Sequence, residues 1–307
     1  MTDEQYSKNL GIPTGKCDVI LDTDTFNEVD DQFALSYLLR ASEKLTVRAV
    51  CAAPFFNHHS VSPADGMEKS YAEILKLLRL ANRTDLNDVV YRGADRYLPD
   101  ESTPIESDAA RAIVALSRDY SADKPLYIVA IAAITNVASA LLLDKTLAER
   151  CVIVWLGGNA HHSEGHGAGE FNMKQDIAAA RVLFNSGAPI VQLPCTDVVD
   201  GFRVSGPELK AFLGGKNPLC DYLIQTVFDE VALYCPSPVW SRVIWDVTAV
   251  GWLLNDGGKL MASKTVPAPI PQYDKYYSFD DSRPLIRYVT RIHRDALLRD
   301  LVDKLTR

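Results

Sequence analysis

Short apolar segments alternate with longer segments of helical period about five times between Cys17 and Pro194. The apolar segments are continuously hydrophobic, which is the pattern of strands covered on both faces in a parallel sheet. This pattern predicts strands over 17–22, 45–54, 88–93, 125–134, 151–158 and 189–194, and helices over 30–42, 62–82, 107–120, 135–150 and 176–187. We therefore expect an α/β protein with a mostly parallel central sheet flanked by helices, in a Rossmann-like arrangement.

The rest of the chain is less regular. Segments 217–234 and 246–255 have a helical period, and 284–307 is predicted as a strand followed by a helix. No convincing linker or internal repeat separates these extra C-terminal helices from the α/β region. The prediction is a single domain over residues 1–307.

Charge and hydropathy limit the partners and the compartment. The net charge of -8 excludes a broad basic surface for nucleic acid. The uncharged run 126–143 reaches the minimum length of a membrane span, but Thr135 and Asn136 interrupt it, so a buried strand followed by a helix is the better interpretation. The N-terminal sequence lacks the apolar core of a signal peptide, and the cysteines form no CxxC pair. We expect a cytoplasmic protein with no membrane partner.

Polar residues follow several predicted strands. The acidic stretch DTDTFNEVDD, residues 22–31, follows the first strand, and Asn57 follows the second. AAITN follows Ile131, and GGNAHHSEGHGAGEFN follows the apolar run CVIVWL. In a parallel sheet, ligands bind beyond the carboxyl ends of the strands, so these residues should meet at one edge.

The stretch 22–31 contains five acidic side chains and no lysine or arginine: Asp22, Asp24, Glu28, Asp30 and Asp31. Such a cluster favours a hard divalent cation, Ca²⁺ or Mg²⁺, over Zn²⁺, which prefers nitrogen and sulfur ligands. Alternatively, the last three acids favour the positive end of the following helix. That alternative does not account for Asp22 and Asp24 at the end of a buried strand.

A second alternative concerns the sequence VILDTDT. An apolar strand followed by DxDxT opens the haloacid-dehalogenase-type phosphatases, in which the first aspartate, here Asp22, would attack phosphate and the second, Asp24, would act as an acid. That chemistry does not predict the later acidic pair of Asp30 and Asp31, nor the sequence GEFN.

Several motifs together resemble the inosine-uridine-type nucleoside hydrolase family. They are VILDTDTFNEVDDQFAL, IAAITN, WLGG, EFN followed by DIAAARVLFNSGAPIV, and WDVTAV, which extend over most of the chain from Cys17 to Leu254. The resemblance implies a nucleoside hydrolase fold and hydrolysis of the N-glycosidic bond of ribonucleosides. The loop between Asp24 and Asp30 is two residues longer than in the commonest form of the family.

The resemblance also implies roles for individual residues. Ca²⁺ would be bound by the carboxylates of Asp24, Asp31 and Asp246 and by the carbonyl of Ile131. Asp24 would in addition activate a calcium-bound water, and Asp22 would support the cluster. The ribose would be bound by Asp30, Asn57, Glu170 and Asn172. The attacking water would then displace the base through an oxocarbenium-like ribosyl cation, with inversion.

Two positions depart from the family pattern. Trp245 occupies the place of the histidine that acts as leaving-group acid in the best-known members. A tryptophan cannot supply that proton but can stack on a base, as in the purine-specific branch, which favours a purine nucleoside. Trp245 as a plain core aromatic is the other interpretation. Glu164 falls, by ungapped counting, where the family has a hydroxyl-binding asparagine.

The histidines leave the leaving-group acid open. His161, His162 and His166 are interpreted as a Zn²⁺ site, as solvated loop histidines, or as the source of that acid, and His58 and His59 beside Asn57 carry the same ambiguity. The absence of a histidine at position 245 also permits a non-catalytic nucleoside- or ribose-binding protein. The family resemblance implies a homo-oligomer, a dimer or a tetramer.

Overall fold

The computed structural model describes residues 1–163, 167–235 and 237–307, apart from the side chain of Tyr234. The strands are β1 (Cys17–Thr23), β2 (Leu45–Ala52), β3 (Val90–Arg92), β4 (Leu126–Ala130), β5 (Cys151–Leu156), β6 (Ile190–Leu193), β7 (Arg203–Ser205), β8 (Ser241–Val243), β9 (Met261–Pro267), β10 (Ile270–Pro271), β11 (Tyr277–Ser278) and β12 (Leu285–Ile292). The α-helices are α1 (Asp3–Asn9), α2 (Asp30–Arg40), α3 (Pro63–Leu80), α4 (Asp108–Ser117), α5 (Thr135–Leu143), α6 (Phe171–Gln175), α7 (Ile177–Asn185), α8 (Gly206–Leu213), α9 (Pro218–Tyr234), α10 (Val247–Leu253) and α11 (Arg294–Leu305).

Eight of these strands form one sheet in the order β3-β2-β1-β4-β5-β6-β12-β9. All neighbours from β3 to β12 are parallel, and β9 pairs antiparallel with β12 at the edge. The predicted mostly parallel sheet is therefore confirmed. The strand order reverses between β1 and β4, which is where open α/β sheets leave a crevice for ligands.

Helices cover both faces of the sheet. Val19 and Leu21 of β1 pack into one core with α2, α3, α10 and α11. Ile20, between them, packs into the opposite core with α4, α5 and α7. Successive strand residues point to opposite faces, and both faces exclude water, so the strand sequences are apolar throughout instead of alternating.

Several elements differ from the sequence prediction. The segment predicted as one helix over 135–150 is α5 followed by a 3₁₀ helix (Lys145–Glu149), because the Asp144 side chain accepts a hydrogen bond from the Thr146 amide and starts a new turn. Strand β3 is shorter than predicted, since a 3₁₀ helix (Thr84–Val89) occupies the preceding residues. The uncharged run 126–143 is β4 and α5, as expected. Within the described residues, every helix is too short or too polar to span a bilayer.

Candidate active site

Five buried aspartates gather at the switch point of the sheet. Asp22 lies in β1, Asp24 follows that strand, Asp30 and Asp31 begin α2, and Asp246 precedes α10. Each is at most 3% exposed to solvent. Buried like charges destabilise a fold unless a cation or protons neutralise them.

Three of these carboxylates have the spacing of a metal site. Oxygens of Asp30, Asp31 and Asp246 lie within 4.8 Å of one another. Oxygen ligands of a hard cation such as Ca²⁺ sit 2.3–2.6 Å from it, so two of them can be up to about 5 Å apart. The three side chains can therefore share one cation, although they come from two distant parts of the chain.

Carboxylate oxygens without partners support the same conclusion. Both side-chain oxygens of Asp24 and Oδ2 of Asp22 are buried and accept no hydrogen bond from the described residues. Such an oxygen destabilises the fold, because it has lost its hydrogen bonds to water and has no hydrogen bond from the protein in their place. A divalent cation beside Asp24 would supply the missing interaction, so the residues present fit a metal.

The pKa values report the same crowding. Burial, and then the charges of Asp31 and Asp30, raise the pKa of Asp24 well above its usual value. Burial raises the pKa of Asp22 and of Asp31 to about 7, against hydrogen bonds from Asn136 and Thr23 respectively. A bound cation would act in the opposite direction and keep these groups ionised at neutral pH.

The sequence around β1 fixes Asp22 in place. The Nδ2 of Asn136 donates to Oδ1 of Asp22 at 2.8 Å and to the Ala52 carbonyl at 3.2 Å, while its Oδ1 accepts from the Ala94 amide. The Ile131 amide donates to the Asp22 carbonyl at 2.9 Å. These hydrogen bonds connect Asp22 with the neighbouring strands, and its supporting role in the acidic cluster stays a prediction.

A cavity of about 320 Å³ opens beside the aspartates. Its lining includes Asp30, Asp31 and Asp246 together with Ile131 and Trp245. The volume falls at the lower end of the range of small-molecule sites. The structure thus brings a half-buried indole and the acidic cluster to the same cavity.

Glu170 and Asn172 also line the cavity. The Glu170 carboxylate caps α6 and accepts from the amides of Gly158, Asn172 and Met173 at 2.8, 2.8 and 3.0 Å. Asn172 Nδ2 donates to the Leu156 carbonyl at 3.1 Å. Both side chains are therefore held rigidly at the wall of the cavity, which suits them to bind a ligand without reorganisation.

Asn57 does not line the cavity itself. Its Nδ2 donates to Oδ1 of Asn27 at 2.6 Å, and Asn27 is a lining residue. Sequence reasoning assigned no role to Asn27 or to two further polar lining residues, Asn159 and Thr196. The position of Asn159 directly after a strand end, in GGN, was the signal available for it.

Glu28, to which the sequence assigned no role beyond a helix-start charge, lines the cavity and forms an ion pair with Arg242. The Arg242 charge opposes the rise in the pKa of Asp30 that burial and Glu28 cause. The ion pair also connects the long loop after β1 with β8, three residues before Trp245. No local pattern in the sequence pairs these two residues.

His161, beside the glycine-rich loop, is not among the residues that line the cavity. His161 is packed against Tyr277, Phe279 and Tyr288, and its Nε2 donates a hydrogen bond to Gln192 Oε1 at 2.9 Å. Burial lowers its pKa to about 4, so it is neutral at physiological pH. It is therefore not a solvated loop histidine.

Two other predictions for this loop go untested. His162 is exposed, whereas His166 and Glu164 lie outside the described residues. The predicted zinc site and the predicted role of Glu164 thus stay predictions.

The phosphatase alternative has little support from this geometry. Its nucleophile would be Asp22, whose Oδ1 accepts a hydrogen bond from Asn136. Asp22 and Asp24 are both fully buried, and neither is among the residues that line the cavity. The carboxylates that line the cavity also repel a phosphate dianion.

Comparison with known proteins is consistent with the site. A sequence profile described as inosine-uridine preferring nucleoside hydrolase matches residues 19–271. The pyrimidine-specific ribonucleoside hydrolase RihA of Enterobacter sp. (strain 638) is 27% identical over 77% of this chain and 79% of that protein. RihA of Shigella boydii serotype 4 (strain Sb227) is 25% identical over 94% of this chain and 97% of that protein.

Solved structures share the fold. A plant nucleoside hydrolase, PpNRh1, superposes with a TM-score of 0.76 at 20% identity, over 94% of this chain and 99% of that one. A purine-preferring ribonucleoside hydrolase from Gardnerella vaginalis has a TM-score of 0.75 at 19% identity, over 94% and 98% of the two chains. At such identities the likeness is one of fold.

Proposed function

Because this chain belongs to the inosine-uridine preferring nucleoside hydrolase family, and is thus an N-glycosyl hydrolase, we propose that it cleaves ribonucleosides to base and ribose with Ca²⁺ as cofactor. The cation would be held by Asp24, Asp31, Asp246 and the carbonyl of Ile131. The observation that carries this proposal is the Asp24 carboxylate, which is buried, without a hydrogen-bond partner in the described residues, and adjacent to the other acids.

Ca²⁺ suits this donor set better than Zn²⁺ does, because all the available ligands are oxygens. When bound, the cation supplies Lewis acidity that lowers the pKa of a coordinated water molecule and orients hydroxyl groups of the substrate. Mg²⁺ demands a stricter octahedral arrangement and is the alternative that metal analysis would separate.

Asp24 acts as the general base in this proposal. It accepts the proton of the attacking water, since its carboxylate is not solvated by bulk water and, among the described residues, both its oxygens are free to accept. The water attacks the anomeric carbon on the face opposite the base and inverts that centre. The remaining acids stabilise the positive charge that develops on the ribosyl ring as the bond to the base stretches.

The ribose is bound by residues on both sides of the acidic cluster. Asp30 faces the 2-hydroxyl, and Glu170 and Asn172 accept or donate hydrogen bonds from the cavity wall. Asn57 contributes from the loop after β2, and its hydrogen bond to Asn27 supports that assignment. Fixed contacts of this kind lower the entropy that must be lost in the transition state.

Trp245 stacks on the base, and a purine offers the larger overlap with an indole. The curated relatives are named pyrimidine-specific, so kinetics on both classes of nucleoside must test this proposed preference for purines. The half-buried indole in the cavity lining supports the stacking role over that of a plain core aromatic.

The cellular setting belongs to the same proposal. We expect a cytoplasmic enzyme of nucleoside catabolism and purine salvage that acts as a homo-oligomer. Exposed apolar side chains, including Phe56, Val61, Leu233 and Val239, offer surface for self-association. Light scattering after gel filtration measures the oligomeric state.

The direct test is release of reducing ribose from a panel of purine and pyrimidine nucleosides, with calcium determined by elemental analysis of the purified protein. Ribose release that is lost in Asp24→Ala supports the proposal. Turnover of p-nitrophenyl phosphate without ribose release would favour the phosphatase. Tight nucleoside binding in calorimetry without turnover would identify a binding protein, which is the alternative that Trp245 in place of histidine favours.

A further inference from the structure

A second group of potential metal ligands lies outside the acidic cluster. His58 and His59 belong to the loop after β2, and Glu230 lies in α9. Each offers one ligand atom, and these three atoms lie within 4.8 Å of one another. The proposed hydrolysis uses none of the three. The fold therefore brings two nitrogen donors and one carboxylate together from two distant parts of the sequence.

We propose that His58, His59 and Glu230 bind a transition-metal ion of the Zn²⁺ class. Two imidazoles and a glutamate are an established ligand set for zinc, and a water molecule completes the tetrahedron. Zinc lies about 2.0–2.2 Å from nitrogen and carboxylate ligands, so two ligands in a tetrahedron are about 3.4 Å apart. The distance from His59 Nε2 to Glu230 Oε2 is 3.4 Å.

The surroundings of the three residues suit a cation. The imidazole rings of His58 and His59 are 3.8 Å apart between centroids and inclined at 43°, so both can turn toward one point. Lys69 donates a hydrogen bond to the His59 carbonyl, and its charge is balanced by an ion pair with Asp65 at 2.7 Å. Phe26 packs edge-on against the His59 ring and shields one side of it.

A cation here would fasten the loop after β2 to α9 at the rim of the cavity. The His59 amide donates to Oδ1 of Asn57 at 2.8 Å, and Asn57 in turn holds Asn27 in the cavity lining. The bound ion would thereby restrain the loop that carries a cavity contact. The other interpretation is a simple ion pair between His59 and Glu230, which needs no metal.

Zinc binding to the calcium-saturated protein separates these two interpretations. Titration with Zn²⁺ in excess Ca²⁺, followed with a chromophoric chelator as competitor, should show one zinc site per chain. His59→Ala and Glu230→Gln should each weaken it by about 10–100-fold or more, since even loss of an outer-shell partner has that effect. His293→Ala, which removes a histidine outside both histidine groups, is the matched control and should bind as the wild type does.

Cobalt provides a second readout that an ion pair would not produce. Co²⁺ in this site should give the intense visible absorption of tetrahedral coordination in the wild type and in His293→Ala, but not in Glu230→Gln. The proposal is overturned if the calcium-saturated wild type takes up no zinc at micromolar concentration. It is equally overturned if His59→Ala and Glu230→Gln, shown to be folded by circular dichroism, bind zinc as tightly as the control.

Discussion

Asn136 Nδ2 donates to Oδ1 of Asp22 at 2.8 Å, in the middle of the parallel sheet. Both residues are fully buried, and Asn136 also satisfies the Ala52 carbonyl and the Ala94 amide. Asn136→Ala would leave three buried groups without their partner. We expect it to lower the free energy of unfolding by about 2–4 kcal/mol. Urea denaturation measures this, with the exposed Asn87→Ala as control; equal stability of the two variants would contradict the support role of Asn136.

Calcium should stabilise the folded chain selectively. A ligand that binds only the native state at 100 times its Kd adds about 2.7 kcal/mol, which appears as a higher Tm. Asp31→Asn should abolish most of that shift, because it removes a ligand from the acidic cluster. The exposed Asp95→Asn should keep the shift. A Tm that calcium leaves unchanged in the wild type would argue against the assigned cofactor.

Asp24→Asn should make the metal-free chain more stable than the wild type. The substitution removes a buried charge that Asp31 and Asp30 repel and that accepts no hydrogen bond from the described residues. It should also abolish the stabilisation by calcium. Chelator-treated samples of both proteins, compared by thermal unfolding, test this pair of opposite effects. If chelator-treated Asp24→Asn is less stable than chelator-treated wild type, the prediction is wrong and the repulsion among Asp24, Asp30 and Asp31 does not destabilise the metal-free chain.

Trp245→Ala should raise KM for purine nucleosides. Loss of base stacking on an aromatic ring removes about 1–3 kcal/mol of binding, which is roughly 5–150-fold. Trp245→Phe retains a stacking face and should lose much less. Steady-state kinetics on inosine and uridine measure both the loss and its dependence on the base. Unchanged KM in Trp245→Ala would leave the residue as a core aromatic only.

His161 should make the free energy of unfolding depend on pH in the acidic range. Its pKa is lowered to about 4, against about 6.5 in the unfolded chain, because burial disfavours the charged ring. The unfolded state therefore binds the extra proton first, and stability present above pH 6.5 is lost as the pH falls toward 4. His161→Gln should reduce this loss by about 2–3 kcal/mol, and the exposed His162→Gln should not. Equal slopes of stability against pH in the two variants would contradict this assignment.

The sequence predicted the fold well where a short-range pattern carries it. Apolar strands between helical segments specify a parallel sheet, and its strand order at the switch point explains why the polar strand ends meet. α8 was missed although the Ser205 to Glu208 capping box marks its start. The single-domain and oligomer predictions stay predictions.

The site was predicted only as far as local spacing and family resemblance reach. The aspartates of β1 and α2 stand out because five acids in one stretch are unusual, and Asp246 came from the resemblance alone. The ion pair between Glu28 and Arg242 joins residues more than two hundred positions apart, with no local signal. Likewise, backbone amides donate hydrogen bonds to the Glu170 carboxylate, and a pattern of side chains in the sequence does not predict such bonds.

We propose that Asp24 and a calcium ion carry out hydrolysis of a ribonucleoside. The most direct measurement is ribose release by the wild type, Asp24→Asn and Asp95→Asn in the same excess of Ca²⁺. We expect kcat to fall by at least about 10²–10⁴-fold for Asp24→Asn, the range for loss of a general base, and to be unchanged for Asp95→Asn. Ribose release by Asp24→Asn at the wild-type rate, or by a calcium-free wild type at full rate, would contradict it.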